Sequence, residues 1–270
     1  MVEIATLRAP LFVPANRPER FEKATLSGAD AVILDLEDAV PADAKDTARA
    51  ALRTDFTDLP VIVRINALGT PANAMDIEAV IALGPDAVIL PKSETAAAVR
   101  SVAHSVSVPV IALIETATGL ANARQIAAAP GVHRLAFGSV DFCADLGCDH
   151  LREGLLPARS ELVLASKLAG IAAPIDGVTV QLDDLSISHD DAAHARSLGM
   201  TGKLCIHPKQ IAAVKRAFAP SEADIAWAQK VLASGDGAVM VDGAMVDEPV
   251  RQRARGILAN AENTREPSIK

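Results

Sequence analysis

Residues 109–141 read PVIALIETATGLANARQIAAAPGVHRLAFGSVD. The apolar run Pro109–Ile114 ends in Glu115 and Thr116. An Ala-rich stretch over Leu120–Ala128 follows, and a second apolar run, Arg134–Phe137, ends in Gly138, Ser139 and Asp141. Short, nearly continuous apolar runs suit strands buried on both faces, and the stretch between them is rich in helix formers. The segment therefore reads as strand, crossover helix and parallel strand, each strand closing on polar residues.

The same alternation extends both ways along the chain. Further strands are expected at Pro10–Pro14, Ala31–Leu36, Pro60–Ile65 and Asp86–Leu90 before this unit, and at Ile175–Val180 and Lys203–His207 after it. Helices are expected over Ala42–Arg53, Glu94–His104, Arg159–Leu168 and Asp184–Leu198. Eight such units predict an α/β protein of the (β/α)8 TIM-barrel type, with an open doubly wound sheet as the alternative that spacing alone leaves standing. The length of 270 residues agrees with a barrel of about 250. Past the eighth unit, Pro220–Ala233 reads as a helix, Ser234–Gly243 as a Gly-rich turn region and Glu248–Ala261 as a terminal helix. The expected organisation is a catalytic barrel over residues 1–220 and a C-terminal helical extension over 221–270, packing on the barrel or on a neighbouring subunit.

Half the residues are hydrophobic, but only 3% are aromatic and there is no Tyr. The core must then be built of Ala, Val, Ile and Leu, which suits the layered packing inside a parallel barrel. A formal charge of −8 argues against a nucleic-acid partner, which needs a concentrated basic surface. Cys143, Cys148 and Cys205 fit neither a disulfide framework nor a zinc spacing, so reduced thiols are expected. No run approaches the roughly eighteen apolar residues of a membrane span, and the first residues lack the pattern of a signal peptide. A cytoplasmic protein without a membrane partner is the expectation.

The polar residues that interrupt the apolar runs fall at the carboxyl ends of the strands, the active face of a TIM barrel. Asp35, Glu37 and Asp38 close strand 2; Arg64 and Asn66 close strand 3; Lys92 follows strand 4; Glu115 closes strand 5; Asp141 follows strand 6; Gln181 and His207 close strands 7 and 8. Each also has a plainer reading. Asp38 can be a turn residue, and Asp35 and Glu37 can be solvated. Arg64 can be held in an ion pair with the strand 2 acids, since an unpaired buried charge is costly. Asp141 can lie in a simple turn with Gly138 or cap a helix, His207 can be structural, and His133, His150, His189 and His194 read as surface or loop residues. Glu115 and Asp141, on neighbouring strands, form a hard-oxygen pair suited to Mg²⁺, which uses few protein ligands. Nucleophilic catalysis is not indicated, because Ser139 lacks the GxSxG context and Cys143 has no evident His partner.

The segments LFVPANRPERFEKA, LDLEDAV, VRIN, ILPKSE, ALIETATG, AFGSVDFCADLG, KLCIHPKQ and DGAMVDEPVRQRARGIL, in order from Leu11 to Leu258, resemble the citrate lyase beta-subunit-like proteins. These belong to the HpcH/HpaI aldolase and malyl-CoA lyase superfamily. The resemblance implies a Mg²⁺-dependent carbon–carbon lyase that cleaves a 3-hydroxy-3-carboxyacyl thioester of citryl, citramalyl or malyl type into an acetyl thioester and a 2-oxo acid. It implies Glu115 and Asp141 as metal ligands and Arg64 as catalytic and substrate-binding; Glu37 and Asp38 are candidates to stand behind the metal ligands. Glu115 and Arg17 are further substrate contacts, Arg17 toward the phosphates of the thioester carrier. Asp247 is implied as an acid/base residue lent by a neighbouring subunit, so a homo-oligomer, trimer or hexamer, is expected. The carrier is coenzyme A or an acyl carrier protein. Malyl-CoA thioesterase activity, or a beta subunit active only within a citrate lyase complex, are the alternatives.

Overall fold

The computed structural model describes residues 4–265; the few positions beyond, within both expected domains, lie outside the described residues. The chain divides into two compact units, residues 1–215 and 216–270. In the first, strands β1 Leu11–Pro14, β2 Val32–Asp35, β3 Val61–Arg64, β4 Ala87–Leu90, β5 Val110–Ile114, β6 Val132–Phe137, β7 Ala172–Asp176 and β8 Gly202–Lys203 alternate with helices. Those helices are α1 Phe21–Thr25, α2 Lys45–Ala50, α3 Pro71–Leu83, α4 Ala96–Val106, α5 Ala117–Ala121, α6 Ala123–Ala127, α7 Ser139–Leu146, α8 Arg152–Ala169, α9 Leu185–Ser197 and α10 Gln210–Phe218.

All eight strands run parallel in sequence order. The sheet then closes on itself: Leu11 bridges Cys205, the Phe12 amide donates to the Cys205 carbonyl at 2.9 Å, and the Cys205 amide donates to Pro10 at 3.0 Å. The barrel expectation holds, and the open sheet is excluded. Ile33, Ile62, Ile89, Ile111, Leu113, Ala136 and Ile175 pack together in one buried cluster. The alternate residues Val32, Leu34, Val63, Val88 and Leu90 are buried as well. Burial on both faces explains why these strands read as continuous apolar runs.

Ile4 and Leu7 join the same cluster, and Arg134 holds this early segment in place. Its guanidinium donates to the carbonyls of Ile4 (2.8 Å), Leu7 (2.9 Å) and Ala173 (2.7 Å) and to the Thr201 hydroxyl (2.8 Å). Full burial pulls its pKa down to about 9.

Strand 7 departs from expectation by starting at Ala172 and ending at Asp176, where Ile175–Val180 was expected. Its pairing with β6 is irregular, as Pro174 lacks an amide for the ladder. It ends where Gly177 leaves the sheet. A Cβ there would stand 2.3 Å from the Ser139 hydroxyl, so only glycine permits this approach. Strand 8 is shorter than Lys203–His207. His207 lies beyond it in a turn, its Nδ1 accepting from the Lys209 amide at 3.1 Å.

The second unit contains α11 Glu222–Ala233, β9 Val239–Val241, β10 Ala244–Val246 and α12 Glu248–Arg265. Ser221 and Asp224 form a capping box at the start of α11. The Gly-rich stretch 234–243 is not only a turn, because it carries β9 of an antiparallel hairpin. Asp242 (φ 51°) and Gly243 (φ 79°) occupy the two left-handed positions that a two-residue hairpin loop needs. Among the described residues no helix is long and apolar enough to cross a membrane.

Candidate active site

Arg64, the last residue of β3, is the centre of an ionic cluster on the carboxyl rim. Strand register sets Asp35 of β2 directly beside it, and the two form a forked pair, Nε to Oδ1 and Nη2 to Oδ2, both at 2.7 Å. Nη1 lies 3.1 Å from Glu37 Oε2 and 3.6 Å from Asp38, and the guanidinium stacks over the Phe12 ring at 4.7 Å. Asp35 and Glu37 are buried, not solvated; Asp38 is exposed. Asp35 also accepts the amides of Glu37 (2.9 Å) and Ala39 (3.2 Å), and so shapes the turn after β2. Desolvation raises the Glu37 carboxyl to about 8, with Arg64 opposing and Glu115, Asp38 and Asp35 adding to the shift. Arg64, by contrast, is held firmly charged by Asp35 and its neighbours despite its burial.

A second network braces this corner. Lys45 donates to the carbonyls of Leu36 (2.6 Å) and Glu37 (2.7 Å) and to the Asn66 side chain (2.8 Å). Asn66 in turn donates to Asp76 at 2.6 Å, and Asp76 takes Arg49 at 2.8 Å. Asn66 therefore spends its side chain on the scaffold.

Glu115, one residue past β5, is 3% exposed and accepts the Lys92 amide at 2.8 Å. Lys92 adopts a left-handed φ of 46°, an uncommon conformation for a residue with a side chain, and this turn offers its N–H to the carboxylate. Gly138 is the N-cap of α7. A Cβ on it would lie 2.4 Å from Glu115 Oε2, so the missing side chain makes room for the carboxylate. Asp141 sits in the first turn of α7, where a simple turn or a helix cap was expected. It does not cap that helix. Burial, opposed by the Lys92 amide and reinforced by the negative charge of Asp141, raises the Glu115 carboxyl to about 7.

The rim thus gathers Asp35, Glu37, Asp38, Glu115 and Asp141 around Arg64 and Lys92, with acids in excess. Glu37 Oε2 and Asn16 Oδ1 are buried oxygens without a hydrogen-bond partner. Among the described residues no cluster of three or more His, Cys, Asp or Glu forms a metal cage. A cation that uses two carboxylates and keeps its waters fits this oxygen set, as Mg²⁺ does; a zinc-type site does not.

Arg17 lies after β1 on the same rim, exposed and paired with Glu19 at 2.6 Å. Asp247 belongs to the second unit, where it precedes α12 and accepts the Val250 amide at 3.4 Å. The ion pair of Arg64 with the strand 2 acids was expected, but not that Asp35 makes the fork, and Gly138 was not expected to make room for Glu115. Of the histidines read as surface or loop residues, His150 is an exposed loop residue as expected, and His194 is half-buried in α9. His150 Nε2 is 2.9 Å from the Ser139 hydroxyl, and His194 Nε2 is buried.

With this geometry in hand, comparison with known proteins is decisive. The model of the HpcH/HpaI aldolase/citrate lyase family matches residues 8–208. The chain belongs to this family. As a family member it is a carbon–carbon lyase-type enzyme. A citrate lyase subunit beta-like protein of Deinococcus radiodurans is 40% identical over 95% of this chain and 98% of its own length. A (3S)-malyl-CoA thioesterase of Cereibacter sphaeroides is 35% identical over 94% of both chains. The crystal structure of the protein CitE from Mycobacterium tuberculosis in complex with magnesium, acetoacetate and coenzyme A superposes with a TM-score of 0.88. It is 39% identical, covering 96% of this chain and 100% of that one.

Proposed function

We propose that this family member is a Mg²⁺-dependent lyase that cleaves a 3-hydroxy-3-carboxyacyl-CoA of citryl, citramalyl or malyl type into acetyl-CoA and a 2-oxo acid. The observation that carries the reading is the rim itself: Arg64, clamped by Asp35, faces the Glu115–Asp141 corner with an excess of buried carboxylate. The relative crystallised with magnesium, acetoacetate and coenzyme A supports both the metal and the carrier.

Glu115 and Asp141 would hold the ion, which supplies Lewis acidity that lowers the pKa of the substrate hydroxyl and steadies the product oxo acid. Arg64, kept planar and charged by its fork on Asp35, binds the substrate and stabilises the negative charge that builds on the thioester as the carbon–carbon bond breaks. The electrons of the hydroxyl O–H bond become the new C=O, and those of the broken C–C bond pass into the thioester enolate. Glu37, whose Oε2 is ion-paired with Arg64 Nη1 at 3.1 Å but makes no hydrogen bond, is the candidate acceptor of the hydroxyl proton. Asp247 of a neighbouring subunit returns a proton to the enolate carbon, which makes the working enzyme a homo-oligomer. Arg17, exposed on the same rim, takes the carrier phosphates.

The 35% identity to a malyl-CoA thioesterase favours one second reading, in which water captures the acyl group at the same site. Incubation with citryl-, citramalyl- and malyl-CoA, with and without Mg²⁺, separates the two. Acetyl-CoA plus oxo acid is expected, dependent on Mg²⁺. Free CoA plus the intact hydroxy acid overturns the lyase reading.

A further inference from the structure

Between the start of α8 and the segment that follows β7 lies a cavity of about 310 Å³, lined by none of the Arg64 cluster but by His150, Arg152, Arg159, Thr179, Gln181 and Asp191 among others. Its wall includes the start of α8, residues Leu151, Arg152 and Glu153, and no side chain caps that helix end. The first amides of the 18-residue helix have no intrahelical acceptor, the N-cap Leu151 offers them no side-chain one, and they carry the positive end of the helix dipole.

The side chains add to that polarity. Asp176, fully buried, takes Arg159 Nε at 2.8 Å and Lys203 Nζ at 2.8 Å. Asp191 takes Arg152 at 2.8 Å and the Thr179 hydroxyl at 2.8 Å. Arg152, Arg159 and Lys203 thus share Asp176 and Asp191, and Glu153, like Arg152, is exposed to solvent. Arg159 is 5% exposed, yet its Nη1 has no partner. A buried donor on a charged group is costly to leave unmatched. Both imidazoles nearby register the imbalance. His150 and His194 are held below the usual histidine range, first by burial, then by Arg159 with Lys203 or Arg152, and the two acids oppose less strongly.

We propose that this cavity is an anion-binding site, separate from the metal corner, that takes a small oxyanion of carboxylate or phosphate-monoester type. Arg152, the free Nη1 of Arg159 and the first-turn amides of α8 form the cradle, in the manner of anion sites at helix starts. The site adjoins the catalytic rim through His150, which is bonded to Ser139 at the head of α7, two residues before Asp141.

Calorimetric titration of the full chain with inorganic phosphate, and separately with acetate, tests the site at fixed ionic strength and without Mg²⁺. Saturable binding of one equivalent is expected for at least one probe, and the tighter probe identifies the ligand class. Arg152→Ala, a change at an exposed helix start, should weaken it by about tenfold or more, whereas Arg17→Ala should leave it intact. Arg159→Gln should also lose binding if circular dichroism shows it folded; Arg152→Ala decides the matter if it is not. Absence of saturable binding by both probes, undiminished binding in Arg152→Ala, or loss of binding in Arg17→Ala overturns the proposal. No turnover is read, so the result stands apart from the lyase reading.

Discussion

At the scale of single residues, the site depends on one absence and two raised acids. Gly138→Ala places a methyl group 2.4 Å from Glu115 Oε2. The carboxylate must move, and the expected outcome is about 10- to 100-fold weaker Mg²⁺ activation, as for other losses of support around a metal, with the barrel still folded. Mg²⁺-dependence of the rate checks this, and unchanged activation would refute the placement. Glu37 and Glu115, raised to about 8 and about 7, keep protons that the unfolded chain releases above about 4.3. The folded state therefore binds more protons than the unfolded one in that range, and stability must fall as pH rises through the folded values. His150 and His194 act in the opposite sense, but only below about 6.5. In EDTA, Tm should drop between about pH 6.5 and 8.5, and Mg²⁺, replacing the protons, should flatten the curve. A flat or rising curve in EDTA would contradict the raised values. The sequence showed the charged residues of this corner but not their pairing. An Arg ending an apolar strand demands a partner, yet only strand register reveals that Asp35, and not Glu37 or Asp38, supplies the fork.

At the scale of elements, what was legible followed burial. Strands β2 to β5 are buried throughout except for Arg64 at the end of β3 and were found within a residue or two, since two-sided burial leaves a continuous apolar signal. Strand β7 was misplaced because Pro174 interrupts its ladder and Gly177 ends it for a contact made far away in sequence. The short helix α7 went unread because Gly138 and Ser139 look like a turn. The hairpin was readable in principle: VMVDGAMV holds a two-residue Asp-Gly loop between short alternating runs, and its glycines drew attention away from them. Helix α12 offers a direct test, because Asp247 stands at its N-terminus. Asn caps a helix about as well as Asp, whereas Ala costs about 1 kcal/mol. Asp247→Asn should hold its Tm and lose most turnover; Asp247→Ala should lose both. Full activity in Asp247→Asn would leave the residue with capping alone.

At the scale of the whole molecule, the proposed chemistry draws on residues from both units, and the test belongs to the assembly. Arg64→Ala and Asp247→Asn chains, each nearly inactive, should recover part of the activity when mixed and allowed to exchange subunits. Failure after exchange has been verified by mass spectrometry would argue against a shared site. Closure of the barrel bears on how the protein is made. Cys205 must reach Leu11, and Arg134 must find the carbonyls of Ile4 and Leu7 across 130 and 127 residues. Such distant pairings form slowly and late. While the chain emerges from the ribosome, its earliest residues must wait for the latest strands, with β1 an open edge in the meantime. Nascent chains stalled before β8 should be cut readily by protease within their first strands, and those released beyond it should resist.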